Sequence, residues 1–204
     1  MTGKARSGKA VSGSLEQYRS KRHPDRTPEP MGSTSGRGGR RRFVVQKHAA
    51  TSLHYDFRLE AGGVLKSWSV PKGPSTDPRE KRLALRTEDH PVDYADFEGT
   101  IPEGEYGAGA VIRWDVGTYR NLAERGGKKV PVAKGVSDGH VKVWLEGEKL
   151  RGGYALTRTG PEGGKERWLL VKVKDEEADA RRNPVNSEPA SVRTGRTVED
   201  VAEE

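Results

Sequence analysis

Leu53-His54-Tyr55-Asp56-Phe57-Arg58-Leu59 alternates apolar and polar side chains without a break. A period of two marks a strand with one buried face. Side chains on one face of a strand recur about every 6.7 Å. Tyr55, Phe57 and Leu59 therefore belong against a core, and His54, Asp56 and Arg58 share the opposite face. The same period returns at 43–46, 64–70, 82–87, 111–114, 140–145, 154–159 and 168–173. Turn chemistry separates these runs, as in Ala61-Gly62-Gly63, Pro71-Lys72-Gly73-Pro74, Asp115-Val116-Gly117, Gly152-Gly153 and Pro161-Glu162-Gly163-Gly164. Seven or eight short strands with tight turns predict a mainly β fold. Its expected form is an antiparallel, closed or nearly closed β-barrel with a few short flanking helices.

The polar face of the first-quoted strand carries the chemistry. An imidazole and a carboxylate two residues apart can reach one divalent ion, and an arginine one step further can hold an anion bound there. His48 precedes the strand, and a loop can return it as a third ligand. Two imidazoles and one carboxylate leave coordination positions open, as metal catalysis requires. The plainer alternative is that His54 and Asp56 hydrogen-bond each other on a half-exposed strand. A second cluster adds weight: Arg82-Leu83-Ala84-Leu85-Arg86 places both arginines on one face with the leucines expected buried. It runs into Glu88-Asp89-His90-Pro91, where His90 stands on a turn, and Lys72 sits on a stiff loop between Pro71 and Gly73. Arg, Lys and His around a metal suit a phosphate.

Other motifs are exclusions. The glycine-rich run 101–109 lacks the G-x-x-x-x-G-K-[ST] spacing of a nucleotide-binding loop and reads as a tight connection. Val136-Ser137-Asp138-Gly139 has valine where a lysyl-adenylate ligase needs its nucleophilic lysine. Trp68, Trp114, Trp144 and Trp168 fall in strands as core or rim residues. There is no cysteine, so a metal must take His, Asp or Glu. No apolar run approaches the roughly 20 residues that span a bilayer, and the basic start MTGKARSGKAVSGS has no apolar stretch behind it. A soluble cytoplasmic protein without a membrane link, and a monomer, is expected.

Charge divides the 204 residues into three parts. Residues 1–42 hold 11 Lys/Arg against 3 Asp/Glu, 43–174 hold 22 against 18, and 175–204 hold 4 against 9. The expected organisation is a basic flexible arm (1–40) with one short helix capped by Ser14, a β-barrel domain (41–174), and an acidic, disordered tail (175–204). A basic arm suits a polyanion, and Arg40, Arg41 and Arg42 are expected to hold a strand backbone.

Several of these motifs stand together in a known order. Phe43-Val44-Val45-Gln46-Lys47-His48, the strand 53–60, Leu65-Lys66-Ser67-Trp68 and Val70-Pro71-Lys72-Gly73-Pro74-Ser75 resemble the 3′-phosphoesterase module of bacterial ligase D. So do Glu88-Asp89-His90-Pro91-Val92-Asp93-Tyr94, Phe97-Glu98-Gly99 and Ile101-Pro102-Glu103-Gly104-Glu105-Tyr106-Gly107-Ala108-Gly109. The resemblance spans about 14–174 and implies manganese-dependent healing of 3′ ends in double-strand-break repair. In that family a terminal ribonucleoside is removed by a phosphodiesterase step and the remaining 3′-phosphate by a phosphomonoesterase step, and the resemblance implies the same here. It implies His48, His54 and Asp56 as metal ligands, and Arg58, Arg82 and His90 as phosphate-contacting or transition-state-stabilising residues. Gln46, Lys72, Glu88 and Tyr94 would support the same pocket, and Arg22 and Glu29 match the family's N-terminal segment. His23 stands where that pattern has an acidic residue. The implied substrates are DNA 3′ ends, as primer–templates ending in a 3′-ribonucleotide or 3′-phosphate. An end-joining ligase and an end-binding protein are the implied partners, and the chain is a stand-alone enzyme or a fragment. The alternative is a non-catalytic module that binds nucleic-acid ends.

Overall fold

The computed structural model describes residues 14–32 and 41–203. The expected flexible stretch 1–13 and most of the linker before Arg41 lie outside the described residues. Strands form where the period-two runs stand. They are β1 (Arg42–Ala49), β2 (Leu53–Ala61), β3 (Val64–Val70), β4 (Lys81–Arg86), β5 (Gly99–Ile101), β6 (Gly109–Asn121), β7 (Glu124–Arg125), β8 (Lys128–Lys129), β9 (His140–Gly147), β10 (Arg151–Glu162) and β11 (Lys165–Lys172). All neighbours are antiparallel, in the order β1-β2-β3-β4-β11-β10-β9-β6, and β6 pairs back onto β1. Eight strands therefore close a barrel, which leaves no open edge among them. The short β5 pairs with β6, and β7–β8 form a separate hairpin. Gly152 and Gly153, expected as a turn, lie inside β10.

Parity decides what fills the barrel. Phe43, Val45, Tyr55, Phe57, Leu59, Trp68, Trp114 and Trp168 point inward and are buried. Trp144 is half-buried on the outside, with the Arg120 guanidinium 5.2 Å from its ring. The other parity of β1, β2 and β3 faces outward, yet solvent does not cover it. A second apolar layer stands there, made of Tyr18, Val44, Leu65, Tyr94, Ala95, Phe97, Ile101 and Val111. It brings together α1 (Glu16–Ser20) of the arm and a 3-10 helix (Val92–Asp96). The arm helix starts with Leu15 at its N-cap position rather than Ser14. The polar row of β2 is thus enclosed between the barrel wall and a roof.

The C-terminal segment departs from the expected disordered tail. Its few apolar residues are well placed: Val198 and Val201 of α4 (Val198–Ala202) are buried against Ala110 and Ile112. Val185 of α3 (Pro184–Ser187) packs on the barrel core; a further helix, α2 (Val132–Asp138), precedes β9. Backbone carbonyls in the segment find donors, with Trp114 Nε1 donating to Glu188 at 2.7 Å and Lys149 Nζ to Glu188 at 2.8 Å. Low hydrophobic content predicts disorder only when the apolar side chains lack a receiving surface.

Candidate metal and phosphate site

The site begins with strand pairing. His48 stands opposite His54, and Gln46 opposite Asp56, in the β1–β2 register. All four are therefore on the outward face, and no returning loop is needed to bring His48 back. The free ring nitrogens of both histidines converge on one carboxylate oxygen: His48 Nδ1 and His54 Nε2 lie 3.6 and 3.7 Å from Asp56 Oδ2. Carbonyl acceptors fix both tautomers. His48 Nε2–H donates to Gly107 at 2.7 Å, and His54 Nδ1–H donates to Ser52 at 2.8 Å. A carbonyl cannot donate, so in the neutral form each imidazole has its lone pair on the inward nitrogen. One donor atom from each of the three residues lies within 4.8 Å of the others. Two imidazoles and a carboxylate so arranged fit a divalent transition metal with open positions.

Electrostatics hold Asp56 ionised, as a metal ligand must be, while its carboxylate favours the protonated form of His54. Burial alone would raise the Asp56 pKa, but Arg58 and both histidines hold it well below the usual carboxylate range. Burial lowers His54, and its bond to Asp56 outweighs this, for a net upward shift. Arg58 is 2% exposed. Its Nε donates to Gln46 Oε1 at 2.8 Å and its Nη2 to Asp56 Oδ2 at 3.1 Å. Its Nη1 is buried with no hydrogen-bond partner, which is costly unless a ligand supplies the acceptor. Gln46 is fully buried, and its amide also donates to the carbonyls of Tyr94 and Phe97 at 3.0 and 2.9 Å. It ties the roof to the guanidinium.

The roof adds His90, Arg22, Glu29, Glu88 and Tyr94. His90 Nδ1–H donates to the Glu88 carbonyl at 2.9 Å, leaving Nε2 as an acceptor 3.5 Å from Arg22 Nη2. Burial and the charges of Arg58 and Arg22 push the His90 pKa well below the ordinary imidazole value, so the ring is neutral. Arg22 is also held by Glu29 at 2.9 Å and Glu88 at 3.3 Å, and Tyr94 Oη donates to Glu29 at 3.0 Å. His23, in place of the acidic residue of the pattern, bonds Glu105 on the facing loop at 2.9 Å. The arm thus docks through an acid carried by the opposite partner.

The structure gathers His48, His54, Asp56, Arg58, Glu88, His90, Tyr94 and Arg22 around one pocket of about 280 Å³, with Gln46 and Glu29 behind them. Arg82 and Lys72 do not join it. In β4 the core residue is Ala84, paired with Trp168, whereas Leu83 and Leu85 are half-exposed. Arg82 shares the inward parity of Ala84, bonds Glu80, and lines a different pocket with Lys72. Arg86 has the same parity and bonds Asp89. Arg42 stands at the far end of β1, ion-paired to Glu60 and Asp96. Ser69, Thr87, Tyr106, Gly107 and Lys165 also line the pocket. Ser69 is the register partner of Asp56 on β3, which a sequence shows only once the pairing is known. Gly107, in the glycine-rich connection, has φ +81°, a conformation that favours glycine.

An open set of three candidate ligands beside a buried guanidinium with one unpartnered nitrogen, carried on a closed β-barrel, suits a class of all-β proteins that bind a metal ion and a phosphate together. The chain belongs to the DNA Ligase D 3′-phosphoesterase domain family, whose model matches residues 46–158. It is 48% identical over 188 residues to the multifunctional non-homologous end joining protein LigD of Pseudomonas aeruginosa, covering 90% of this chain and 22% of that protein. It is 43% identical over 167 residues to the LigD proteins of Mycolicibacterium smegmatis and Mycobacterium tuberculosis, covering 81% of this chain and 21% and 20% of theirs. The chain spans about a fifth of the length of these relatives. Among the described residues no helix is long and apolar enough to cross a membrane.

Proposed function

We propose that this chain is a metal-dependent phosphoesterase that heals 3′ ends of DNA in double-strand-break repair by end joining. It would remove a 3′-terminal ribonucleoside and then the 3′-phosphate, leaving a 3′-OH for ligation. The observation that carries the reading is the unpartnered Nη1 of buried Arg58, set beside the free nitrogens of His48 and His54. These atoms suit one phosphate contacted by a cation and a guanidinium together. His48, His54 and Asp56 would hold the metal, taken as Mn²⁺ from the family resemblance. When bound, it supplies Lewis-acid neutralisation of charge developing on the phosphoryl oxygens.

The rest is done by side chains. Arg58 donates Nη1–H to a non-bridging oxygen, and Gln46 and Asp56 hold the fork so that little reorganisation is needed. His90, neutral with Nε2 as its acceptor nitrogen, takes the proton of the attacking hydroxyl once its 3.5 Å contact with Arg22 gives way to the substrate. In the diester step a water, or the 2′-OH of the penultimate ribose by way of a 2′,3′-cyclic phosphate that water then opens, displaces the 5′-oxygen of the terminal ribonucleoside. In the monoester step water displaces the 3′-oxygen and inorganic phosphate leaves, and in each step the departing oxygen takes up the proton. Glu29 and Tyr94 hold Arg22 over the pocket. The proposed setting is the cytoplasm at the nucleoid, as a monomer, alongside an end-joining ligase and an end-binding protein.

The test is a labelled primer–template ending in one ribonucleotide, incubated with manganese and resolved on a sequencing gel. A 3′-phosphate strand followed by a 3′-OH strand, lost with EDTA and in His48→Ala, is the expected result. An uncleaved primer that the protein still retards in a gel would instead establish a binding module for nucleic-acid ends.

A further inference from the structure

Two large apolar side chains are exposed among the described residues, Leu53 at 49% and Tyr106 at 46%. Tyr106 lines the pocket that holds the triad. It precedes Gly107, whose carbonyl fixes the His48 tautomer, so its ring stands one residue from a direct partner of the proposed metal site. Of the two tyrosines lining the pocket, Tyr94 is 2% exposed and packed between His90 and Phe97. Tyr106 therefore presents the accessible phenol ring of the cavity.

The loop that carries it is rigid. Turn hydrogen bonds run from Glu105 N–H to Pro102 and from Ala108 N–H to Glu105. Gly104 and Gly107 adopt φ +85° and +81°. From the other side, His23 and Lys21 of the arm bond Glu105 and Tyr106 at 2.9 and 3.4 Å. Lys21 Nζ lies 4.7 Å from the Tyr106 ring centroid and the Arg22 guanidinium carbon 5.5 Å. Held from both sides, the ring loses little freedom when a ligand stacks on it.

We propose that Tyr106 is a stacking platform for the base of the 3′-terminal nucleoside, the group expelled in the first step. This deepens the phosphoesterase reading and rests on it. Tyr106, Arg58 and the triad line one pocket of about 280 Å³, which puts this ring within reach of a base one sugar away from a phosphate held at Arg58. Ser69, Thr87 and Lys165, which also line the pocket, carry no ring. Every base has a π face, so the platform recognises that a base is present without reading which one. It contributes to the diester step and has no counterpart when the end is a bare 3′-phosphate.

The test compares two primer–templates, one ending in a ribonucleotide and one in an abasic ribose, in wild-type, Tyr106→Phe and Tyr106→Ala. With wild-type and Tyr106→Phe the abasic end should show a KM about tenfold higher, the size of one lost stack. With Tyr106→Ala the two substrates should converge. An equal fall on both substrates in Tyr106→Ala, with the wild-type preference retained, would mean that the ring only props the arm and would overturn the platform. Wild-type cleaving both ends with equal KM would overturn it as well. Wild-type cleaving neither end would instead remove the phosphoesterase reading. A readout free of turnover uses a terminal 2-aminopurine ribonucleotide and EDTA-treated protein. Its fluorescence should be quenched on binding by wild-type and by Tyr106→Phe, and markedly less by Tyr106→Ala; equal quenching by all three overturns the proposal.

Discussion

Replacing Arg58 by lysine keeps the charge and removes the fork. In the native site Nε serves Gln46 at 2.8 Å, Nη2 serves Asp56 at 3.1 Å, and Nη1 is free for the phosphate. A lysine ammonium on the same strand can satisfy Asp56 or a phosphoryl oxygen, but its rotatable point charge does not reproduce the three planar directions. Loss of one preorganised donor to developing charge costs roughly 10²–10³ in kcat. We expect Arg58→Lys to lower kcat at least about a hundredfold, with KM changing less, because the donor acts mainly on the transition state. Arg58→Ala should add a folding defect on the order of 3 kcal/mol, since Asp56 would lose its nearest cation while buried. The assay is single-turnover cleavage of a 3′-phosphate primer with manganese, beside thermal unfolding by circular dichroism. A folded Arg58→Lys protein retaining activity within about threefold of wild-type would refute the assignment of Nη1 to phosphate.

Asp56→Asn should weaken manganese binding by an order of magnitude or more, measured by titration calorimetry, because a neutral amide replaces the anionic donor; unchanged affinity would remove Asp56 from the ligand set. Val201→Ala deletes a fully buried contact between the C-terminal segment and β6 and should cost about 2 kcal/mol, read as a lower urea midpoint. A midpoint equal to wild-type would mean the segment adds nothing to the fold. Lys149 supplies a pH test: burial lowers its pKa from 10.5 to about 8, beyond what Asp115 and Glu188 restore. Between those values the folded state binds fewer protons than the unfolded one, so stability should rise with pH across that window, by at most about 3 kcal/mol. Lys149→Met should flatten that slope in urea titrations at pH 7, 8, 9 and 10, and a slope that persists in the variant would assign it to another group.

Parity along β2 was legible from residues alone, because side chains alternate whatever the strand pairs with. His54, Asp56 and Arg58 therefore had to share a face opposite Tyr55, Phe57 and Leu59, and the strand count implied a barrel. The motif order around them carried the family. What local sequence does not contain is register and closure, which are distances between residues far apart in the chain. Only pairing set His48 across from His54 and Ser69 across from Asp56, and only the roof of arm and 3-10 helix made an outward face a buried one. The same limit explains β4: Leu83 and Leu85 look like the core side, yet the barrel takes Ala84 where Trp168 fills the space, and Arg82 goes inward with it. It explains the C-terminal segment too, since composition reports how many apolar side chains exist and tertiary packing decides whether a surface receives them.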